Sequence, residues 1–141
     1  MKILEKYKVT KIVAWILSLT FIGIVLMERV PGVMVSTAYP HESLMFGLFL
    51  ISLLDDVTHG ISGLLGLLAL WHSKEMVIKW MMLIGGYYSL DAGFHTFYSL
   101  VIAEPFMHWF PINAPHYGIA FLCFVGLYFG VKNISIHENK L

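Results

Sequence analysis

Leu44 to Trp71 reads LMFGLFLISLLDDVTHGISGLLGLLALW, an apolar run broken by Asp55-Asp56, by Thr58-His59 and by scattered Ser and Gly. A bilayer core of about 30 Å is crossed by roughly 20 mostly apolar helical residues. The run therefore predicts a membrane-crossing helix that carries ionisable side chains within its length. Three further stretches have the same character: Ile12 to Met27, its helix expected to reach about residue 29, then Met76 to Ile102, and Asn113 to Val131. The expected fold class is all-α, an integral membrane four-helix bundle. It forms a single four-span transmembrane domain over residues 1–141, with helices at about 12–29, 44–71, 76–102 and 113–131.

Composition points the same way. Of the 141 residues, 58% are hydrophobic and 13% charged, and the mean hydropathy is +0.76. A soluble domain has about 45–50% apolar and about 25% charged residues. Nine Lys and Arg balance nine Asp and Glu, so no basic surface is present for nucleic acid. Cys123 is the single cysteine and sits in an apolar run, which excludes an internal disulfide, a CxxC redox pair and a multi-cysteine zinc site. Metal chemistry in this chain falls to His and carboxylate.

Charge placement sets an orientation. Lys2, Lys6, Lys8 and Lys11 precede the first span, Lys74 and Lys79 flank the second turn, and Lys132 and Lys140 follow the fourth span; Arg29 stands alone on the other side. The positive-inside rule places both termini in the cytoplasm, with Glu28 to Ser43 and Ala103 to Ile112 as outer loops, and the expected location is the plasma membrane. A signal peptide cleaved near Ser36-Thr37-Ala38 is rejected, because Glu28, Arg29 and Pro31 set the apolar run too far from that site. The turn His72-Ser73-Lys74-Glu75 is short enough to make the second and third helices an antiparallel hairpin. The outer loops, with Pro31, Pro40, Pro105, Pro111, His41, His108 and Trp109, suit an interfacial lid or docking surface. Gly60, Gly63 and Gly66, and Gly85, Gly86 and Gly93, suit close helix packing.

The second and third spans repeat D-x3-H, as Asp55-Asp56-Val57-Thr58-His59 and Asp91-Ala92-Gly93-Phe94-His95. Residues four apart share a helix face, so each Asp and its His project together. At about 1.5 Å per residue His59 lies roughly 18 Å and Asp55 roughly 24 Å from the inner end, level with the Asp91-His95 pair. His116, after Asn113-Ala114-Pro115, is expected to close the group from the outer side, with Pro115 in the first turn. The leading expectation is an intramembrane site near the outer face, in which His59, Asp91, His95 and His116 bind a transition-metal ion (Zn, Fe or Cu). Asp55 and Asp56 act beside them as supporting carboxylates or additional ligands. In an empty site at least one of Asp55, Asp56 and Asp91 is expected to hold a proton.

Other readings stand beside this one. A buried Asp-His pair can satisfy itself and fix helix register, and the cluster can equally handle protons or a small substrate. Haem b held by His59 with His95 or His116 is a further version, which the neighbouring carboxylates make less suitable than a bare ion. Tyr88, three residues before Asp91, is positioned to bond to it. His41, His72, His108 and His137 read as solvated interfacial residues. There is no Gly-x-Ser-x-Gly, phosphate loop or dinucleotide fingerprint, so whether the chain is an enzyme stays open.

The segments His59-Gly60-Ile61-Ser62-Gly63-Leu64-Leu65-Gly66-Leu67, Leu90 to His95 and Asn113 to Gly118 resemble those of small four-helix DoxX-like membrane proteins. The resemblance covers the three later spans. It implies quinone-linked redox chemistry as an alternative function, without a residue-by-residue match. A third expectation is a non-catalytic accessory subunit of a larger membrane complex. The expected partners are the lipid bilayer and either such a complex or further copies of the chain.

Overall fold

The computed structural model describes residues 3–36, 42–47 and 49–131. Four helices carry the fold: α1 (Ile3–Met27), α2 (Leu53–His72), α3 (Lys74–Val101) and α4 (Phe106–Val131). Between α1 and α2 run three short strands, β1 (Met34–Ser36), β2 (Glu42–Met45) and β3 (Phe49–Ser52). They form an antiparallel sheet in the order β1-β2-β3, with Met34 opposite Met45 and Ser43 opposite Ile51. The expectations for Lys2, Thr37, Ala38, Pro40, His41, Lys132, His137 and Lys140 lie outside the described residues, as do the side chains of Lys6, His108 and Pro111.

The sheet corrects the expected second helix, which starts at Leu53 and not at Leu44. A short apolar run does not by itself choose between strand and helix, and here turn chemistry decides. Phe46 and Gly47 take positive φ values of 54° and 70°, which reverse the chain between β2 and β3. Met45 and Ile51 then close with Val33 into a small apolar cluster against Ile24 of α1. Ser52 stops the strand and starts the helix. It is the N-cap of α2, its hydroxyl accepting from the Asp55 N–H while the Asp55 carboxylate accepts from the Ser52 N–H at 3.0 Å, a reciprocal capping box. Ser52→Ala is expected to cost about 1 kcal/mol of unfolding free energy. Chemical unfolding of the purified protein in detergent checks this, and an unchanged midpoint would remove the cap from the account.

The expected inner turn is as short as its sequence suggests. Ser73 ends α2 and also caps α3, its hydroxyl accepting from the Met76 N–H at 3.2 Å. The link from α3 to α4 is shorter than expected, because α4 begins at Phe106 rather than near Asn113. Pro115 therefore lies inside the helix and not in its first turn. The added turns are held by ring contacts of Phe106 with Trp109 and Phe110, and by Asn113 Nδ2 donating to the Trp109 carbonyl at 3.1 Å. α1 likewise extends back to Ile3.

The helices pack in cyclic order, each against its two neighbours, around Leu17, Phe21, Val77, Met81, Tyr88 and Cys123. Thr10 Oγ1 donates to the Gly126 carbonyl at 2.9 Å, tying α1 to α4, and Trp80 Nε1 donates to the Ser62 carbonyl at 3.0 Å, tying α3 to α2. Small and hydroxylated residues face inward while Leu54, Leu64, Leu68, Leu83, Leu90 and Phe121 face outward. An apolar exterior of this extent is the kind of surface that lipid or a partner protein covers. Three helical segments are long and apolar enough to cross a membrane: Tyr7–Met27, Leu53–His72 and Asn113–Val131, with mean hydropathies of 2.2, 1.3 and 1.5. Helix α3 is longer than these but is made more polar by Lys74, Glu75, Lys79, Asp91 and His95.

Candidate functional site

The polar residues singled out in the sequence gather at the end of the bundle that carries the sheet, where they divide into three groups. One is built on Asp91. As expected from their spacing, Asp91 and His95 share a face of α3, with His95 Nε2 3.7 Å from Asp91 Oδ1. His116 reaches the same carboxylate from α4, with Nδ1 2.6 Å from Oδ2. That contact is close but not aligned along the ring N–H, since Nδ1 has no hydrogen bond of good geometry. His95 is more than half exposed, while His116 and Asp91 are three-quarters or more covered.

His59 belongs elsewhere. It is only 5% exposed, and its ring lies nearly parallel to those of Phe21 and Tyr88, at 5.7 and 6.4 Å between centroids. Tyr88 also meets His116 edge-on at 5.2 Å, so an aromatic ring touches both imidazoles. The Tyr88 hydroxyl and His59 Nδ1 are buried with no hydrogen-bond partner among the described residues. The expected bond from Tyr88 to Asp91 is not formed.

Asp55 and Asp56 are committed to other contacts. Starting α2 at Leu53 puts both in its first turn, where the positive end of the helix dipole favours carboxylates. Asp55 closes the capping box, and Asp56 lies 3.6 Å from Arg29 and beside Glu28 at the end of α1. Among the described residues, no three His, Cys, Asp or Glu side chains are placed together to hold a metal ion.

Sequence reasoning missed Glu28. Burial, and then the adjacent Asp56 carboxylate, lift its carboxyl to about 7, with Arg29 acting in the opposite direction. An unfolded Glu ionises near 4.3, so between these values the folded chain keeps a proton that the unfolded chain has lost. This contribution to stability is complete below the unfolded value and declines as pH rises toward about 7. Glu28→Gln should flatten that part of the stability profile. Melting temperatures of both proteins across pH 4 to pH 8, roughly the window set by these two values, test it. Parallel profiles would remove the Glu28–Asp56 pair as the cause.

A cavity of about 230 Å³ opens between the sheet and the helices. Its apolar walls come from Ile24, Met45, Phe49, Ile51 and Ile119, and its polar edges from His59 and His116. The sheet that makes this enclosure is not legible in the sequence, because Phe46-Gly47 lies in an apolar run that suits a helix as well as a strand. The chain matches no protein-family model, and comparison with curated proteins and with solved structures finds no match.

Proposed function

We propose that the chain is a multi-pass protein of the plasma membrane that binds a small lipophilic molecule in the cavity under its sheet. In this reading α3 is the fourth crossing helix, both termini are cytoplasmic, and the sheet end faces outward. Lys74 and Lys79 at the α2–α3 end, against Arg29 at the other, support that orientation. The observation that carries the reading is the cavity itself: apolar walls, with two imidazoles as the polar groups that would orient a guest.

The test uses full-length protein in lipid nanodiscs with 13C-labelled isoleucine methyls and p-xylene as probe. Saturable shifts at Ile24, Ile51 and Ile119 are expected, and Ile119→Trp should abolish them by filling the space. Shifts that never saturate and persist in Ile119→Trp would show partitioning into lipid and defeat the reading.

A second reading is favoured by one observation, that Asp91 gathers His95 and His116 from two helices. A transition-metal ion at this carboxylate would draw on Asp91, His95 and His116, a suitable donor set once His95 turns inward. Metal analysis of protein purified without added metal, followed by zinc titration, tests it. No stoichiometric metal and no saturable uptake would end this reading.

A further inference from the structure

We infer that the molecule held under the sheet is a neutral, single-ring lipophile carrying a hydroxyl group. This rests on the cavity reading above and adds the chemical class of the guest. Size comes first. An apolar protein cavity of about 150 Å³ takes one benzene, so about 230 Å³ accommodates one ring with small substituents. Met45, Phe49, Ile51 and Ile119 offer that ring no polar partner.

Polar demand comes second. His59 is more than nine-tenths buried, lines the cavity, and leaves Nδ1 without a partner. A buried polar atom in that state favours a guest that completes its hydrogen bond. His116 lines the same cavity, and its Nδ1 is turned to Asp91, which leaves Nε2 as the nitrogen available to a guest. Nε2 accepts when the ring proton is on Nδ1 and donates when it is on Nε2. A hydroxyl both donates and accepts, and so serves either imidazole.

Charge comes third. Among the described residues, no Lys or Arg lines the cavity. The Asp91 carboxylate stands behind His116, Asp55 lies one turn before His59 on α2, and Arg29 is drawn to Asp56. An anionic head group would meet carboxylates without a facing cation, so the site selects against acids.

Three probes of nearly one shape separate these points in the labelled nanodisc protein: p-cresol, p-xylene and p-toluate. The expected result is saturable binding of p-cresol roughly tenfold tighter than p-xylene, the worth of one hydrogen bond. The 15N resonance of the His59 ring should move with p-cresol alone, and p-toluate should bind weakest. His59→Phe, or His59→Gln if the former does not fold, should reduce the preference for p-cresol. Equal binding of p-cresol and p-xylene would overturn the hydroxyl assignment while leaving the cavity reading intact. Tighter binding of p-toluate would overturn the neutral class. Saturable binding by none of the three would remove both this inference and the reading beneath it.

Discussion

Tyr88→Ala is expected to destabilise the bundle by about 3–5 kcal/mol, the range for removing a large aromatic side chain from a core. Tyr88→Phe should be neutral or stabilising by about 1 kcal/mol, because a buried hydroxyl without a partner contributes only its desolvation cost. Tyr88 is 2% exposed and sits where Phe21 of α1, His59 of α2 and His116 of α4 converge. Its ring therefore joins three helices to α3, and alanine would leave a void touching all of them. The near-parallel stack on Phe21, 5.6 Å between centroids, adds a geometric preference to the buried area. Equilibrium unfolding of the two variants in bicelles separates ring from hydroxyl. If Tyr88→Phe destabilises the bundle by about 1 kcal/mol or more, the hydroxyl has a partner and the description of the cluster is wrong.

Gly66→Ala should cost about 1–3 kcal/mol through overpacking, whereas Gly86→Ala should gain up to about 1 kcal/mol from helix propensity. A methyl carbon at Gly66 would come within 2.6 Å of Trp80 Cζ2 and press on the Ser18 hydroxyl. Trp80 cannot easily yield, because its indole N–H is bonded to the Ser62 carbonyl on the same face of α2. At Gly86 nothing lies within 4 Å of the added carbon. Neither glycine needs unusual backbone angles, so the opposite signs isolate close approach as the cause. Equal effects of the two substitutions would show that the α2–α3 contact is looser than described.

The same glycines show what pattern alone conveys. Gly63 and Gly66 recur at helical spacing, and both are tight contacts, against Ile22 and against Trp80. Gly86 and Gly93 recur just as regularly, and a carbon added at either meets no neighbouring atom within 4 Å among the described residues. Spacing identifies a face of a helix, and only the neighbouring helix determines whether that face is used.

The sequence by itself determined the helical class, the short turn at Ser73 and the pairing of Asp91 with His95, because each depends on neighbours within one or two turns. Helical periodicity places residues four apart together whatever surrounds them. Tertiary structure decided the rest of the site. Leu44 to Ser52 is apolar enough for helix or strand, and its pairing with β1 and its packing on Ile24 select strand. That choice moves Asp55 and Asp56 from mid-helix to a first turn, where a cap and Arg29 occupy them. Likewise His116 reaches Asp91 while His59 stacks on Tyr88, because those contacts depend on how four helices are rotated about their axes. Rotation is settled by the summed packing of distant side chains, a quantity that no local stretch of sequence contains.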